Sequence, residues 1–308
     1  MDLFFSILIE VIAPVFILIG MGIFLHRMFH FDLKTLSKIT TYYLLPVVAF
    51  VNLYESNLDK TIFFEILKFQ LIFSIILMVY GAIMSKILKL DRGMTANFKN
   101  SVVLMNSGNF GLPVSQLVFA SNPVGVTIQI VVMTIQTFIT HTYGLLNTVS
   151  AKYDKSKIAR EILKNPILYA LLLGFLFNTY HIPIPTFIWI PLEGVNASFL
   201  PIALLALGAQ VAFMSLKMMN WTLLLSCISR LLIAPALALA LIYILGLDGV
   251  TAQGLLIASS FPASRNSAQM ALEYDVYPEF AGQTVLITTV FSVVTVTGVI
   301  YLSQLLFG

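Results

Sequence analysis

The chain has 308 residues, of which 59% are hydrophobic and 10% are charged, and its formal net charge at pH 7 is +3. Soluble proteins carry about 25% charged residues because polar groups must cover their surface. The composition therefore excludes an ordinary soluble enzyme, a nucleic-acid-binding protein and a disordered scaffold. A single cysteine, Cys227, excludes a disulfide framework and a cysteine-based metal site. The sequence predicts an all-α protein that crosses a membrane many times.

Ten stretches are apolar and close to the length of about 20 residues that a helix needs to cross a bilayer. The longest polar connection, about residues 150–164, is too short to hold a soluble domain. In chain order, the predicted spans 1 to 10 cover about residues 4–25, 36–54, 66–88, 95–119, 124–148, 164–178, 188–213, 221–245, 250–272 and 282–306.

The basic residues predict the orientation of these spans. Thirteen of the 17 lysines and arginines lie in the connections that follow odd-numbered spans or at the span ends beside them, and two lie on the opposite side. Cytoplasmic loops are enriched in lysine and arginine. We therefore expect a multi-pass protein of the plasma membrane, with the basic connections in the cytoplasm and both termini outside.

Matching features in the two halves of the chain indicate an internal repeat. Pro14 and Gly22 in span 1 have the same spacing as Pro166 and Gly174 in span 6. Two further pairs follow in the same order: Leu45-Pro46 with Leu200-Pro201, and Leu112-Pro113 with Phe261-Pro262. Repeats of five spans must run in opposite directions across the membrane, and such inverted repeats are typical of secondary transporters. The predicted repeats are residues 1–149 and 158–308, joined by a cytoplasmic basic loop at 150–157.

Spans 4 and 9 are predicted to be broken at their centres. In span 4, Gly108, Gly111 and Pro113 weaken the helix, since proline removes a backbone donor and glycine costs about 1 kcal/mol relative to alanine. In span 9, Pro262 lies among serines. Paired interruptions at matching positions indicate a transporter binding site. The alternative is that these residues are packing features of ordinary membrane helices.

Arg265 is the most informative single residue, because a charge at the bilayer centre costs about 2.5–3.5 kcal/mol on insertion scales and faces a cavity or a partner. Beside the N-terminal end of a broken helix it would favour an anionic ligand. The alternatives are an ion pair with Glu273 or another acid, or extension to the membrane surface. The residues expected to bind the anion are Asn106, Asn109, Arg265 and Asn266.

The sequence also suggests roles for two other polar residues within predicted spans. Arg230 in span 8 is expected to have a structural pairing role. His141 in span 5 could relay a proton, and the alternative is a histidine that is hydrogen-bonded in the core.

The sequence contains no phosphate-binding loop, no dinucleotide fingerprint, no metal-binding pattern and no pair of acids within a predicted span. We therefore expect no enzymatic activity, no ATP-driven transport and no bound cofactor or metal. The coupling ion, H⁺ or Na⁺, stays open.

Two motifs resemble those of the auxin efflux carrier family, which includes plant auxin carriers and bacterial malate and malonate permeases. They are MNSGNFGLP at residues 105–113 and ALEYDVYPE at residues 271–279. The resemblance covers nearly the whole chain. It implies ten spans in inverted repeats, an elevator-type movement, an organic anion held where broken spans 4 and 9 cross, and a homodimer.

The resemblance also implies roles for individual residues. Asn106 matches an asparagine that contacts the substrate carboxylate, and Pro113 matches the first crossover proline. Glu65 and Lys68 resemble an acid–base pair that supports substrate or proton transfer, the alternative being a solvated pair at the membrane surface.

Two departures from the plant carriers point away from auxin. Ala49 stands where those carriers have a serine near the substrate, and their large cytoplasmic loop is absent. The predicted function is secondary transport of a small organic anion such as malate or malonate. The alternatives are a sodium-coupled symporter of the bile-acid type, an efflux carrier for an auxin-like aromatic carboxylate, and a sensor that binds its ligand without moving it. The expected partners are the substrate, the bilayer and a second copy of the chain, and no nucleic acid.

Overall fold

The computed structural model describes residues 2–55, 60–149, 166–213 and 220–308, so the predicted basic loop at 150–157 lies outside the described residues. All regular secondary structure in the described part of the chain is helical. Its helical segments are α1 (Phe4–Phe29), α2 (33–55), α3 (Lys60–Ile87), α4 (Arg92–Val103), α5 (107–118), α6 (Pro123–Thr148), α7 (Pro166–Thr179), α8 (Thr186–Val211), α9 (Trp221–Leu245), α10 (Gly249–Ser259), α11 (Arg265–Glu273) and α12 (Pro278–Phe307).

Six of the described helices, α1, α3, α6, α8, α9 and α12, are long and apolar enough to cross a membrane. Each has at least 25 residues, which exceeds the length of about 20 that a crossing requires. The chain is therefore a multi-pass α-helical membrane protein, as predicted. The other four predicted spans coincide with α2, with α4 and α5, with α7, and with α10 and α11. Their arrangement as ten spans in inverted repeats remains a prediction.

Prolines shape several helices through π-helical turns. Four of the five such turns among the described residues end two residues before a proline. Proline lacks the N–H that would bond to the carbonyl four residues earlier, so the hydrogen-bond ladder shifts to longer spacing before it. The four turns are Leu8–Ile12, Thr40–Leu44, Ser107–Gly111 and Ser229–Ile233.

The helices pack in two groups. In the first group, α1 packs on α8, and α2 packs on α7 and α8. In the second, α3 packs on α4, α6 and α9, while α10 packs on α6, α9 and α12. The groups meet where α8 contacts α5, where α2 contacts α6, and where α1 contacts α5 and α12. The contact of α5 with α8 places the start of α5 between the two groups.

Glycines allow the backbones of α1 and α8 to touch. A Cβ atom added at Gly22 would lie 2.1 Å from the carbonyl oxygen of Leu205. One added at Gly208 would lie 1.9 Å from the carbonyl oxygen of Ile19. Small residues at such positions let membrane helices approach closely and gain van der Waals contact. These two glycines therefore determine how closely the helices of the first group pack.

Candidate functional site

The chain is unwound at two places that lie side by side, between α4 and α5 and between α10 and α11. The backbone N–H of Asn106 donates to the carbonyl of Pro262, and the N–H of Ser264 donates to the carbonyl of Leu104, both at 2.8 Å. These reciprocal hydrogen bonds join the two segments in antiparallel fashion. Each break thus satisfies backbone groups that the other would leave unpaired inside the membrane.

The first break spans residues 104–106, immediately before the glycines and the proline that the sequence singles out. Gly108 and Gly111 belong to the π-helical turn that opens α5, and Pro113 lies in the following turn. Pro262, in contrast, lies in the unwound segment before α11. Pro113 and Pro262 therefore lie at different positions relative to the two breaks. The physical reason is that the π-helical turn accommodates the missing N–H of Pro113, so the helix continues through it.

Three buried glutamines support the first break. Gln136 of α6 donates a 2.9 Å hydrogen bond from Nε2 to the carbonyl of Val103, the last residue of α4. Gln129, also on α6, donates to the carbonyl of Ser107 at 2.7 Å. Gln70 of α3 donates to Oε1 of Gln136 at 3.2 Å. The carbonyl of Val103 needs such a partner, since the last four carbonyls of a helix have no donor within the helix. The sequence analysis did not single out Gln70 and Gln129. The feature that could have identified them is a polar amide on an otherwise apolar helix.

Arg230 of α9 joins the ends of α4 and α10. Its side chain is fully buried. Nη1 donates a 2.7 Å hydrogen bond to the carbonyl of Val102, and Nη2 donates to the carbonyl of Ser259. Both carbonyls lie at helix C-terminal ends, where the helix dipole places partial negative charge that a cation stabilises. The contacts fit the structural pairing role expected for this residue.

A cavity of about 70 Å³ lies at the N-terminal ends of α5 and α11, and it is large enough for several water molecules. Residues from α2, α6 and α7 complete its wall. All four residues expected to bind the anion line this cavity, together with two others that the sequence singled out. These residues are Asn106, Gly108, Asn109, His141, Arg265 and Asn266. The fold thus brings together residues that are up to 160 positions apart in the chain.

Two amides in the cavity wall have atoms without a hydrogen-bond partner among the described residues. These atoms are Nδ2 of Asn106 and Oδ1 of Asn109. The side chain of Asn106 is only 5% exposed. Leaving a buried polar group unsatisfied costs about 1–3 kcal/mol. The Nδ2 group of Asn106 is thus a donor available to an acceptor that enters the cavity.

Arg265 is the first residue of α11, and its side chain is 9% exposed. The Oγ of Ser264 caps this helix by accepting a 3.2 Å hydrogen bond from the N–H of Asn266. Arg265 Nη2 donates to Oε1 of Gln269, one turn later, at 3.4 Å. The positive charge of the guanidinium and the positive end of the α11 helix dipole lie at the same wall of the cavity, and both favour an anion. The side chain of Glu273, the alternative partner, lies outside the described residues.

The other predicted residues take different positions. Glu65 is half-buried and Lys68 is exposed on α3, and neither belongs to the described residues that line the cavity. His141 lines the cavity from the π-helical turn Thr140–Gly144 of α6. Among the described residues, no group of three or more histidine, cysteine or acidic side chains could hold a metal ion.

The family model described as membrane transport protein matches residues 7–300. The chain belongs to this family. It is a membrane transporter and not an enzyme, and the family resemblance identified from the two sequence motifs is confirmed.

Several relatives resemble this transporter. A protein described as an uncharacterized transporter of Methanothermobacter thermautotrophicus is 26% identical over 272 residues, which cover 86% of this chain and 87% of the relative. An uncharacterized transporter of Methanocaldococcus jannaschii is 22% identical, covering 85% of this chain and 87% of the relative. A protein of Rhizobium meliloti described as "Putative malonate transporter" is 30% identical over 148 residues, 47% of this chain and 46% of that protein.

Proposed function

We propose that this transporter carries a small dicarboxylate, such as malonate or malate, across the plasma membrane, with both termini outside. The observation that carries the proposal is the cavity at the two breaks. It combines the guanidinium of Arg265 with the Nδ2 donor of Asn106, which has no hydrogen-bond partner among the described residues. The relative described as a malonate transporter adds support from the sequence side.

The cavity suits carboxylates for electrostatic reasons. A guanidinium can bind one carboxylate through two parallel hydrogen bonds, and Arg265 supplies it at one wall. Asn106 and Asn109 lie on the opposite chain segment, at the start of α5, and supply amides for the second carboxylate. Asn266 lies in the first turn of α11, where the positive end of the helix dipole also attracts anions.

The packing supports an elevator-type movement. In this proposal, α1, α2, α7 and α8 remain static, and the group that contains both breaks carries the substrate across the membrane. A related pair of contacts supports the inverted repeat within the static group. A Cβ added at Gly174 would lie 3.0 Å from the carbonyl oxygen of Phe50, just as one at Gly22 meets Leu205. Phe50 and Leu205 each follow a matched proline by four residues.

Uptake of labelled malonate and malate into proteoliposomes tests the proposal. Wild-type protein is compared with Arg265→Ala, with Arg265→Lys, and with Lys34→Ala, which removes an equal charge from an exposed position. We expect Arg265→Ala to abolish uptake, Arg265→Lys to retain part of it because the charge remains without the two-pronged geometry, and Lys34→Ala to behave as wild type. Wild-type vesicles that take up neither compound would exclude the dicarboxylate assignment.

The same vesicles identify the coupling ion and separate the alternatives. A Na⁺ gradient that is required for uptake would favour the sodium-coupled symporter, whereas a pH gradient that drives it would favour H⁺ coupling. Uptake of an indole carboxylate in place of malonate would favour the auxin-like carrier. Binding without flux would indicate a sensor. We propose a homodimer as the working assembly, which the mass of the detergent-solubilised protein checks.

A further inference from the structure

A second cavity lies apart from the crossing, where α3 ends and α4 begins. Its volume is about 190 Å³. Three lysines line it: Lys86 from the last turn of α3, Lys89 from the turn that follows it, and Lys99 from α4. The hydroxyl-bearing residues Ser85 and Thr95 also line it. The residues that line the cavity at the two breaks do not line this second cavity.

The positive charge of this cavity is not balanced by its own wall, since no described residue that lines it carries a carboxylate. The acid nearest in sequence, Asp91, is engaged elsewhere. Its carboxylate accepts hydrogen bonds from the N–H groups of Gly93 and Met94, at 2.9 and 3.0 Å, and from the hydroxyl of Tyr277 at 2.9 Å. Three lysines therefore line a space whose described wall holds no carboxylate to neutralise them.

The position of the cavity relates it to the membrane surface. The apolar sequence of α3 ends at Ile87, so Lys86 and Lys89 lie at the boundary between hydrocarbon and water. Ile83 and Ile87 are 52% and 65% exposed, and they continue an exposed apolar row that runs along α3 through Ile75 and Val79. Residues three apart are neighbours on a helix surface, so this row adjoins the face that bears Lys86.

We propose that the cavity binds an anionic phospholipid, with the phosphate among Lys86, Lys89 and Lys99 and an acyl chain along the apolar row of α3. Basic pockets between membrane helices bind such headgroups, and each lysine near the surface contributes about a fivefold increase in affinity. The row of exposed isoleucine and valine side chains favours a lipid over a free anion, which has no apolar part to bury.

Native mass spectrometry of the detergent-solubilised protein tests this site, with phosphatidylglycerol and phosphatidylcholine offered in equal amounts. The test variant is Lys86→Gln/Lys89→Gln/Lys99→Gln. The control is Lys34→Gln/Lys38→Gln, which removes two exposed positive charges from the start of α2. We expect wild type and control to retain phosphatidylglycerol preferentially. The triple variant is expected to lose up to about a hundredfold in this preference.

Each of the other outcomes would overturn the proposal. An unchanged preference in the triple variant would show that the cavity does not bind the headgroup. An equal loss in the control would show a general effect of surface charge. Competition by inorganic phosphate as effective as that by phosphatidylglycerol would assign the cavity to a free anion. If the triple variant does not fold, the exposed single variant Lys89→Gln is used instead, with an expected loss of about fivefold.

Discussion

The backbone of Gly22 lies so close to Leu205 that an added Cβ atom would come within 2.1 Å of the Leu205 carbonyl oxygen. Since that oxygen belongs to the backbone of α8, the clash cannot be relieved by a side-chain rotation. Gly22→Ala is therefore expected to separate α1 from α8 and to destabilise the protein by about 1–3 kcal/mol. Thermal unfolding of the purified protein in detergent measures the effect.

Gly20 provides the matched control, because a Cβ there would meet nothing within 4 Å. Gly20→Ala is expected to leave stability unchanged or to raise it by up to about 1 kcal/mol through helix propensity. Equal melting temperatures for the two variants would contradict the close contact of α1 and α8.

Arg230 is expected to be among the least replaceable residues of the protein. Arg230→Met leaves the carbonyls of Val102 and Ser259 without their donor inside the bundle. Each lost hydrogen bond to a charged group is worth about 1.5–3 kcal/mol, so we expect destabilisation of about 3 kcal/mol or more. In the control Arg27→Met, an exposed arginine loses its bonds to Ala212, and the drop in melting temperature should be much smaller. Similar drops for both variants would argue against the proposed role of Arg230.

Asn106→Ala separates substrate binding from stability. The backbone hydrogen bond to Pro262 remains, but the Nδ2 donor without a partner among the described residues is removed. We expect malonate binding to weaken about tenfold or more, since a hydrogen bond to a charged group contributes about 1.5–3 kcal/mol. The melting temperature without substrate should not fall. Isothermal titration calorimetry and thermal unfolding measure the two quantities.

The control for this prediction is Gln210→Met on α8. Both amide atoms of Gln210 lack a partner among the described residues, yet this side chain does not line the cavity. It should tolerate the apolar replacement with unchanged malonate affinity. If Gln210→Met weakens binding as much as Asn106→Ala does, the amide of Asn106 is not a specific contact.

Pro113 does not line the cavity, and Pro113→Ala tests whether this proline nevertheless determines the positions of residues that do. The new N–H allows a regular α-helical ladder, so the turn Ser107–Gly111 should relax and displace Asn109. We expect a several-fold loss of malonate affinity with little change in stability. Pro14→Ala alters the equivalent turn Leu8–Ile12 in α1, away from the cavity, and should leave affinity unchanged. Unchanged affinity in Pro113→Ala would show that the π-helical turn does not depend on this proline.

The contact between Asp91 and Tyr277 predicts a pH dependence of stability. Hydrogen bonds from the N–H of Met94 and from Tyr277 lower the pKa of Asp91 below 3.8. The hydrogen bond to Asp91 raises the pKa of Tyr277 above 10.0. Because the carboxyl pKa is lowered, the contact stabilises the folded state above pH 3.8, and this stabilisation is lost in acid. Because the phenol pKa is raised, the contact stabilises the folded state below pH 10, and this stabilisation is lost in base.

Tyr277→Phe should therefore melt at a lower temperature than wild type between about pH 5 and 9, and the difference should shrink below pH 3.8 and above pH 10. Melting curves across this range provide the measurement. Tyr180→Phe, which changes an exposed tyrosine after α7, is expected to match wild type throughout. A difference between Tyr277→Phe and wild type that is independent of pH would indicate a packing effect instead.

Local patterns predicted the membrane-spanning character and six of the residues that line the cavity. Arg265 stood out because a charge within an apolar stretch is expensive, and the asparagines because they cluster beside glycine. The exact position of the first break, at residues 104–106, could not be predicted from local patterns. It depends on donors that are distant in sequence, Gln136 and Arg230, and on a proline whose effect a π-helical turn absorbs. Such compensation becomes visible only in three dimensions.

The hydrogen bonds that join the two breaks run from backbone to backbone, so they are indifferent to which side chains stand there. Substitutions at Asn106 or Asn266 can alter the lining of the cavity without dismantling the crossing that supports it. An insertion or deletion of one residue in either segment would shift the pairing of both. In this family, a change of cargo is accordingly expected to come from exchanged side chains, while the length of these segments is preserved.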